Sequence, residues 1–154
     1  MAAYEEPGKL FTCEAPAEWR VLEGQGGAQR VSFLGPPGGE SPFAASISIY
    51  YYAPGSAFRS PEDYAAGRAM TGAERTPVAE KPWKGEKALE FSLTRRQLDR
   101  HGKTPARILR EDAFLVSSGK GFIAVIHSAP PSLRPKTEPV FRALLESLAL
   151  RNMD

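Results

Sequence analysis

Cysteine and histidine are scarce in this chain: one of the former, Cys13, and two of the latter, His101 and His127, among 154 residues. A lone thiol excludes an intramolecular disulfide, and two histidines are too few for a closed Cys/His zinc site. Long apolar runs are lacking as well. None approaches the roughly 18 to 20 residues that a bilayer-crossing helix needs, and the start MAAYEEPGK has neither the basic nor the apolar region of an export signal. Charge of one sign is not in excess either. The formal net charge is +2, which by itself does not imply a nucleic-acid partner, because such binders need a basic surface that neutralises several phosphates. Internal repeats and long low-complexity segments are absent.

What the chain does have is 14 glycines and 14 prolines beside a 42% hydrophobic fraction, a balance that favours a loop-rich architecture with much strand. Its length predicts a single domain over residues 1–154 that buries a core without staples. KLFTCE (9–14) and EWRVLE (18–23) read as short strands joined by Ala15-Pro16-Ala17 into a first hairpin. Val31 and Phe33 alternate with Arg30 and Ser32, and Ile47, Ile49 and Tyr51 alternate with Ser46, Ser48, Tyr50 and Tyr52, the period-two signature of half-buried strands. Four strand candidates thus precede a helix that Ser60 caps, Pro61 opens and Asp63 supports as the acid of a capping box. That helix is expected to run to about Met70, with Gly72 just beyond it.

Residues 76–80 read as extended, and Leu89, Phe91 and Leu93 alternate through a strand over 86–96. Two strands follow, at 106–117 and 121–128. The second carries Phe122 to Ile126 without alternation, as suits a central strand covered on both faces. A proline-rich connection, Pro130 to Pro139, then leads to a last helix whose Val140, Phe141, Leu144, Leu145 and Leu148 form one stripe for packing on the sheet.

Several residues invite a chemical reading. Ser117-Ser118-Gly119-Lys120-Gly121 fails as a phosphate loop: Phe114 and Gly121 stand where Gly and Ser/Thr are required, and a strand follows where a helix should. A hairpin turn accounts for the glycines. His127 and Ser128 point to opposite strand faces, so His127 is read as a partly buried structural histidine rather than a base for its neighbour. Cys13 reads as a small buried hydrophobe, Glu111 and Asp112 diverge across a strand, and Glu62-Asp63 has its capping role. No catalytic residue, cofactor or metal site is expected.

Two surface features remain. Arg95, Arg96, Arg100, Lys103, Arg107 and Arg110, with Asp99 the only acid among them, predict an exposed basic hairpin loop. It would suit an acidic protein or an anionic surface, but without interleaved aromatics it does not suit sequence-specific nucleic acid. Tyr50 and Tyr52 put two phenols on one strand face, a recognition surface if open and core if a helix covers it. Arg95, Arg96, Arg100, Lys103, Tyr50 and Tyr52 are therefore the candidate partner-binding residues.

Strands in series, a helix, more strands and a closing helix predict an α+β fold: an antiparallel sheet of about six to seven strands flanked by helices. Phe11-Thr12-Cys13-Glu14-Ala15-Pro16-Ala17-Glu18-Trp19 and the closing Phe141-x-x-Leu144-Leu145-x-Ser147-Leu148 resemble the opening and final helix of the PsbP/Mog1-like superfamily. The resemblance runs over nearly the whole chain and implies an α/β/α sandwich. It also implies a non-enzymatic binding or accessory role with another protein as partner. The alternatives are a chaperone-like module holding a secreted effector on an open apolar face around Ile47, Ile49 and Tyr51, or an anion-binding module using the basic 95–110 hairpin. It further implies an exported or lipid-anchored setting with the signal outside this chain, the alternative being cytoplasmic.

Overall fold

The computed structural model describes residues 2–6, 10–24, 30–35, 45–55, 58–69, 74–97, 107–118 and 121–150. Its frame is a large antiparallel sheet. In spatial order it runs β3 (Arg20–Glu23), β4 (Arg30–Leu34), β5 (Ser46–Tyr52), β10 (Gly121–Ala129), β9 (Arg107–Ser118) and β8 (Glu86–Gln97). Two short strands, β6 (Glu74–Arg75) and β7 (Ala79–Trp83), share the far side of β8, so the sheet has eight strands, more than the sequence pattern suggested. The apolar run of β10 lies at its centre, as a two-sided buried strand should.

Each face has its own core, separated by strand parity. On one face Val31, Phe33, Ile47, Ile49, Ile123 and Val125 pack beneath helix α2 (Arg134–Ser147) and a three-stranded sheet of β1 (Ala2–Glu5), β2 (Phe11–Ala15) and β11 (Ala149–Leu150). On the other, Leu89, Phe91, Leu93, Leu115 and Phe122 pack beneath Tyr64 and Ala65 of helix α1 (Pro61–Ala69). Helix α1 starts as its sequence predicts: the Ser60 hydroxyl accepts from the Asp63 amide at 3.1 Å, and the Asp63 carboxylate accepts from the Arg59 amide at 3.1 Å. Gly72 and Met70 lie outside the described residues.

Four expectations need correction. The first hairpin does not form: β2 pairs with β1 and β11, while β3 pairs with β4 in the other sheet. Ala15-Pro16-Ala17 is instead a tight turn between sheets, closed by the Trp19 amide donating to the Pro16 carbonyl at 3.1 Å. The apolar set of β2, Phe11, Cys13 and Ala15, is buried over the large sheet, and this burial outweighs a local pairing.

Second, the proline-rich segment is not a connection beyond Leu133, because α2 begins at Arg134 and takes in Pro135 and Pro139. Proline costs little in a first turn, where amides have no helical acceptor. Pro139 lies deeper and leaves the Pro135 carbonyl without its helical donor, but both prolines are exposed and water can fill the gap.

Third, the basic residues do not all belong to a loop, in keeping with the strands expected over 86–96 and 106–117. The β8–β9 ladder continues through Arg95↔Leu109, Arg96↔Ile108 and Gln97↔Arg107, so Arg95, Arg96, Arg107 and Arg110 stand in strands. Arg100 and Lys103 lie outside the described residues. Fourth, the face around Ile47, Ile49 and Tyr51 is not open: both isoleucines are fully enclosed and Tyr51 packs against them.

Candidate functional site

The chemistry of this protein gathers where none was expected, on the face beneath α2. Strands β8, β9 and β10 set Ser92 opposite Asp112 and Asp112 opposite His127 in one cross-strand row. Helix α2 lays Arg134, Thr137 and Phe141 over it, residues that share one helical face. The His127 Nδ1 donates to Asp112 Oδ2 at 3.0 Å, since an ionised carboxylate can only accept. On the other side of the ring, Nε2 lies 2.7 Å from the Thr137 hydroxyl, which is also 3.2 Å from the Leu133 carbonyl. Phe141 stacks on the imidazole with ring centres 5.2 Å apart.

Asp112 is the hub. It accepts from the Ser92 hydroxyl at 2.7 Å and from Arg134 through Nε at 3.2 Å and Nη2 at 3.1 Å. Arg110 Nε lies a further 4.0 Å away. Burial acts to raise the Asp112 pKa, but the hydrogen bonds from His127, Arg134 and Ser92 and the Arg134 charge outweigh it, holding the carboxyl well below the usual range.

Carboxylate, imidazole and hydroxyl in this order reproduce the connectivity of a hydrolase triad. Access separates this arrangement from a working one: His127 is 0% exposed, Asp112 3% and Thr137 8%. The hydroxyl faces a helix carbonyl and the ring is covered by Phe141, so no substrate carbonyl can reach the oxygen. What the cluster can do is tie α2 to three strands through charge-assisted hydrogen bonds.

Part of this was legible in the sequence. Ser118 and Gly121 face each other at the end of the β9–β10 hairpin, and counting back from that pair places Asp112 directly opposite His127. Gly119 and Lys120, expected as a hairpin turn, lie outside the described residues. Thr137 and Arg134 carry no such signal, because Pro135 and Pro139 give their segment the pattern of a connection rather than of a helix. Ser128 points to the opposite face from His127 and is paired across β5 with Ser46. Cys13 is enclosed, and burial pushes its thiol up to about 12, which makes it no nucleophile at neutral pH.

The tyrosine-bearing face is half-covered. Tyr52 packs among Phe58, Tyr64 and Phe122, with ring centres 5.5, 5.7 and 4.9 Å away. Tyr50 stacks on Tyr52 at 6.2 Å and carries the Arg30 guanidinium 5.9 Å above its ring. Beyond Tyr50 the face continues as Ser32 and Ser48, whose hydroxyls meet at 2.8 Å. Arg95 and Arg96 lie at the far end of the β8–β9 ladder, so the structure does not bring them together with the tyrosines into one row. No helix among the described residues is long and apolar enough to cross a membrane.

No family model and no curated protein matches this sequence. Solved structures do match. A Pseudomonas aeruginosa protein of unknown function, PA94, has a TM-score of 0.64 at 19% identity, the match covering 99% of each chain. The Saccharomyces cerevisiae Ran-binding protein Mog1p gives 0.61 at 10% identity over 97% of this chain and 94% of its own. Cyanobacterial PsbP (CyanoP) of Synechocystis gives 0.58 at 12% identity over 97% and 92%. Identities this low speak for the fold alone, and they agree with the order of strands and helices described above. The chain has the PsbP/Mog1-like fold.

Proposed function

We propose that this protein is a non-enzymatic binding or accessory domain whose partner is another protein. The observation that carries the reading is the enclosure of its one acid, imidazole and hydroxyl cluster among the described residues, with His127 0% exposed. Polar side chains spent on fastening a helix leave the surface, not the interior, to do the work. The likeness in fold to a Ran-binding protein adds support. Tyr50 and Tyr52, together with Arg95, Arg96, Arg100 and Lys103, are the proposed partner-facing residues. An aromatic pair beside a cation suits protein recognition, where Tyr and Arg anchors dominate binding energy.

Two variants test this. A partner captured by the wild-type chain should be lost by Tyr50→Ala or by alanine at Arg95, Arg96, Arg100 and Lys103 together. Capture unaffected by both would sink the assignment of the surface. Hydrolytic turnover that disappears in Thr137→Ala would overturn the non-enzymatic reading itself.

A further inference from the structure

The two edges of the large sheet are unequally protected. At the edge beside β8, strand β7 carries Pro82 and Lys81. A two-residue turn, Lys84-Gly85 with φ of 48° and 83°, closes the β7–β8 hairpin and makes Trp83↔Glu86 a hydrogen-bonded pair. Pro82 therefore faces outward, where it has no N–H to offer, and Lys81 is drawn onto Glu90 at 2.7 Å. Proline and lysine are the usual guards of an exposed edge.

Strand β3, at the opposite edge, has neither guard. Its sequence is Arg20-Val21-Leu22-Glu23, every residue of it is exposed, and Val21 at 43% and Leu22 at 41% are two of the three large apolar side chains most open to solvent among the described residues. Its hydrogen-bonding phase is settled by the Gly24 amide, which donates to the Arg30 carbonyl at 2.6 Å. Counting back along the ladder, Leu22 and Arg20 direct their amides and carbonyls to β4, and Val21 and Glu23 direct theirs outward. Among the described residues no strand pairs with this side.

We propose that β3 pairs antiparallel with β3 of a second copy of this chain, in the register that sets Val21 opposite Glu23 and Leu22 opposite Leu22 on a two-fold axis. In that register every outward amide and carbonyl of Val21 and Glu23 on both copies is paired, giving four backbone hydrogen bonds. The neighbouring registers are worse. Moving one step toward the N-terminus would need the Trp19 amide, which already donates to the Pro16 carbonyl at 3.1 Å. Moving one step the other way sets Glu23 opposite Glu23, a like-charge pair. In the preferred register no like charges are directly opposed, the Arg20 stem lies beside Leu22 of the second copy, and the Glu23 carboxylate keeps its bond from the Tyr4 hydroxyl at 3.1 Å. Two four-residue strands bury well under the roughly 800 Å² per partner of a stable complex, so the dimer belongs to concentrated solution.

Sedimentation equilibrium of the full chain, with a cysteine cross-link, tests both the dimer and its register. Wild type should show a monomer–dimer equilibrium, and Leu22→Lys should weaken it by about tenfold or more. Because Leu22 is exposed, that variant keeps its core. Under mild oxidation Leu22→Cys should form a covalent dimer much faster than Val21→Cys. Directly opposed residues of the non-hydrogen-bonded kind have Cα atoms about 4.5 Å apart, within disulfide reach, whereas the two Val21 positions are diagonal and about 7–8 Å apart. The native Cys13 is buried and does not compete. A chain monomeric at every concentration, a dimer untouched by Leu22→Lys, or equal cross-linking at the two positions would each overturn the proposal.

Discussion

The two faces of the large sheet bury their helices by different means. Beneath α2 the apolar core is interrupted by a polar cluster centred on Asp112, in which Ser92, His127 and Arg134 are hydrogen-bonded and the buried Arg110 Nε, 4.0 Å away, is not, and further hydrogen bonds come from outside the helix: the Trp83 indole N–H donates to the Leu145 carbonyl at 3.1 Å and Lys84 Nζ to the Leu148 carbonyl at 2.5 Å. Beneath α1 the described core residues are rings and aliphatic chains, with Tyr64 and Ala65 buried on the helix's side and a lateral ion pair joining Glu62 to Lys87 at 3.2 Å. A helix fastened by directional bonds in a dry interior holds one position, whereas one resting on an aromatic bed is held mainly by the area it covers. The difference predicts that the half beneath α2 is the more rigid and the half beneath α1, which carries Tyr50 and Tyr52, the more adaptable.

The largest test of that contrast is Asp112→Ala, which leaves His127 and Arg134 without their shared acceptor. It should cost about 3–5 kcal/mol in urea unfolding, as removal of one member of a buried charge pair does; a loss below about 1 kcal/mol would mean that the cluster fastens nothing. The same carboxylate sets an acid limit. Its folded pKa lies below its unfolded one, so its contribution is fully present above about pH 4 and is lost as the pH falls toward the folded value. Asp112→Asn should flatten that part of the stability-against-pH curve, and an unchanged slope would count against the assignment.

Native-state hydrogen exchange sharpens the comparison. Amides in the middle of α2 should open only with global unfolding, while those of α1, a helix of nine residues, should exchange through a lower-energy local opening. Equal protection of the two helices would refute the distinction. A smaller effect is expected at the start of α1, where Ser60→Ala removes the cap from the Asp63 amide and should cost about 1 kcal/mol by thermal or urea unfolding. Smallest in stability is Tyr50→Ala, within about 1 kcal/mol because the ring is half-exposed, although it is the variant proposed to lose a partner.

How much of this could be read beforehand depended on how local each signal is. Val31 with Phe33, Ile47 with Ile49, and Leu89 with Phe91 and Leu93 announce their strands through a period of two, and the core they form lies on the faces that period assigns. The Ser60-Pro61-Glu62-Asp63 box announces α1 for the same reason, since a cap is completed within one turn. The pairing of β2 had no such signal. Its partners are residues 2–5 and 149–150, from opposite ends of the chain, and nothing within KLFTCE favours them over the adjacent EWRVLE. The candidate site fell between these cases, because the register placing Asp112 against His127 is a hairpin count, while the helix that seals it was hidden by its own prolines.

Sequence alone therefore determined the alternating strands of the large sheet, the start of α1, which of their faces are apolar, and how β9 aligns with β10, because side-chain period, capping chemistry and hairpin length act over a few residues. Tertiary structure decided which sheet β2 joins, which strand is left at an open edge, and whether Asp112, His127 and Thr137 meet water or protein. Those outcomes depend on which buried surfaces meet across the fold, and so on contacts between residues far apart in the chain.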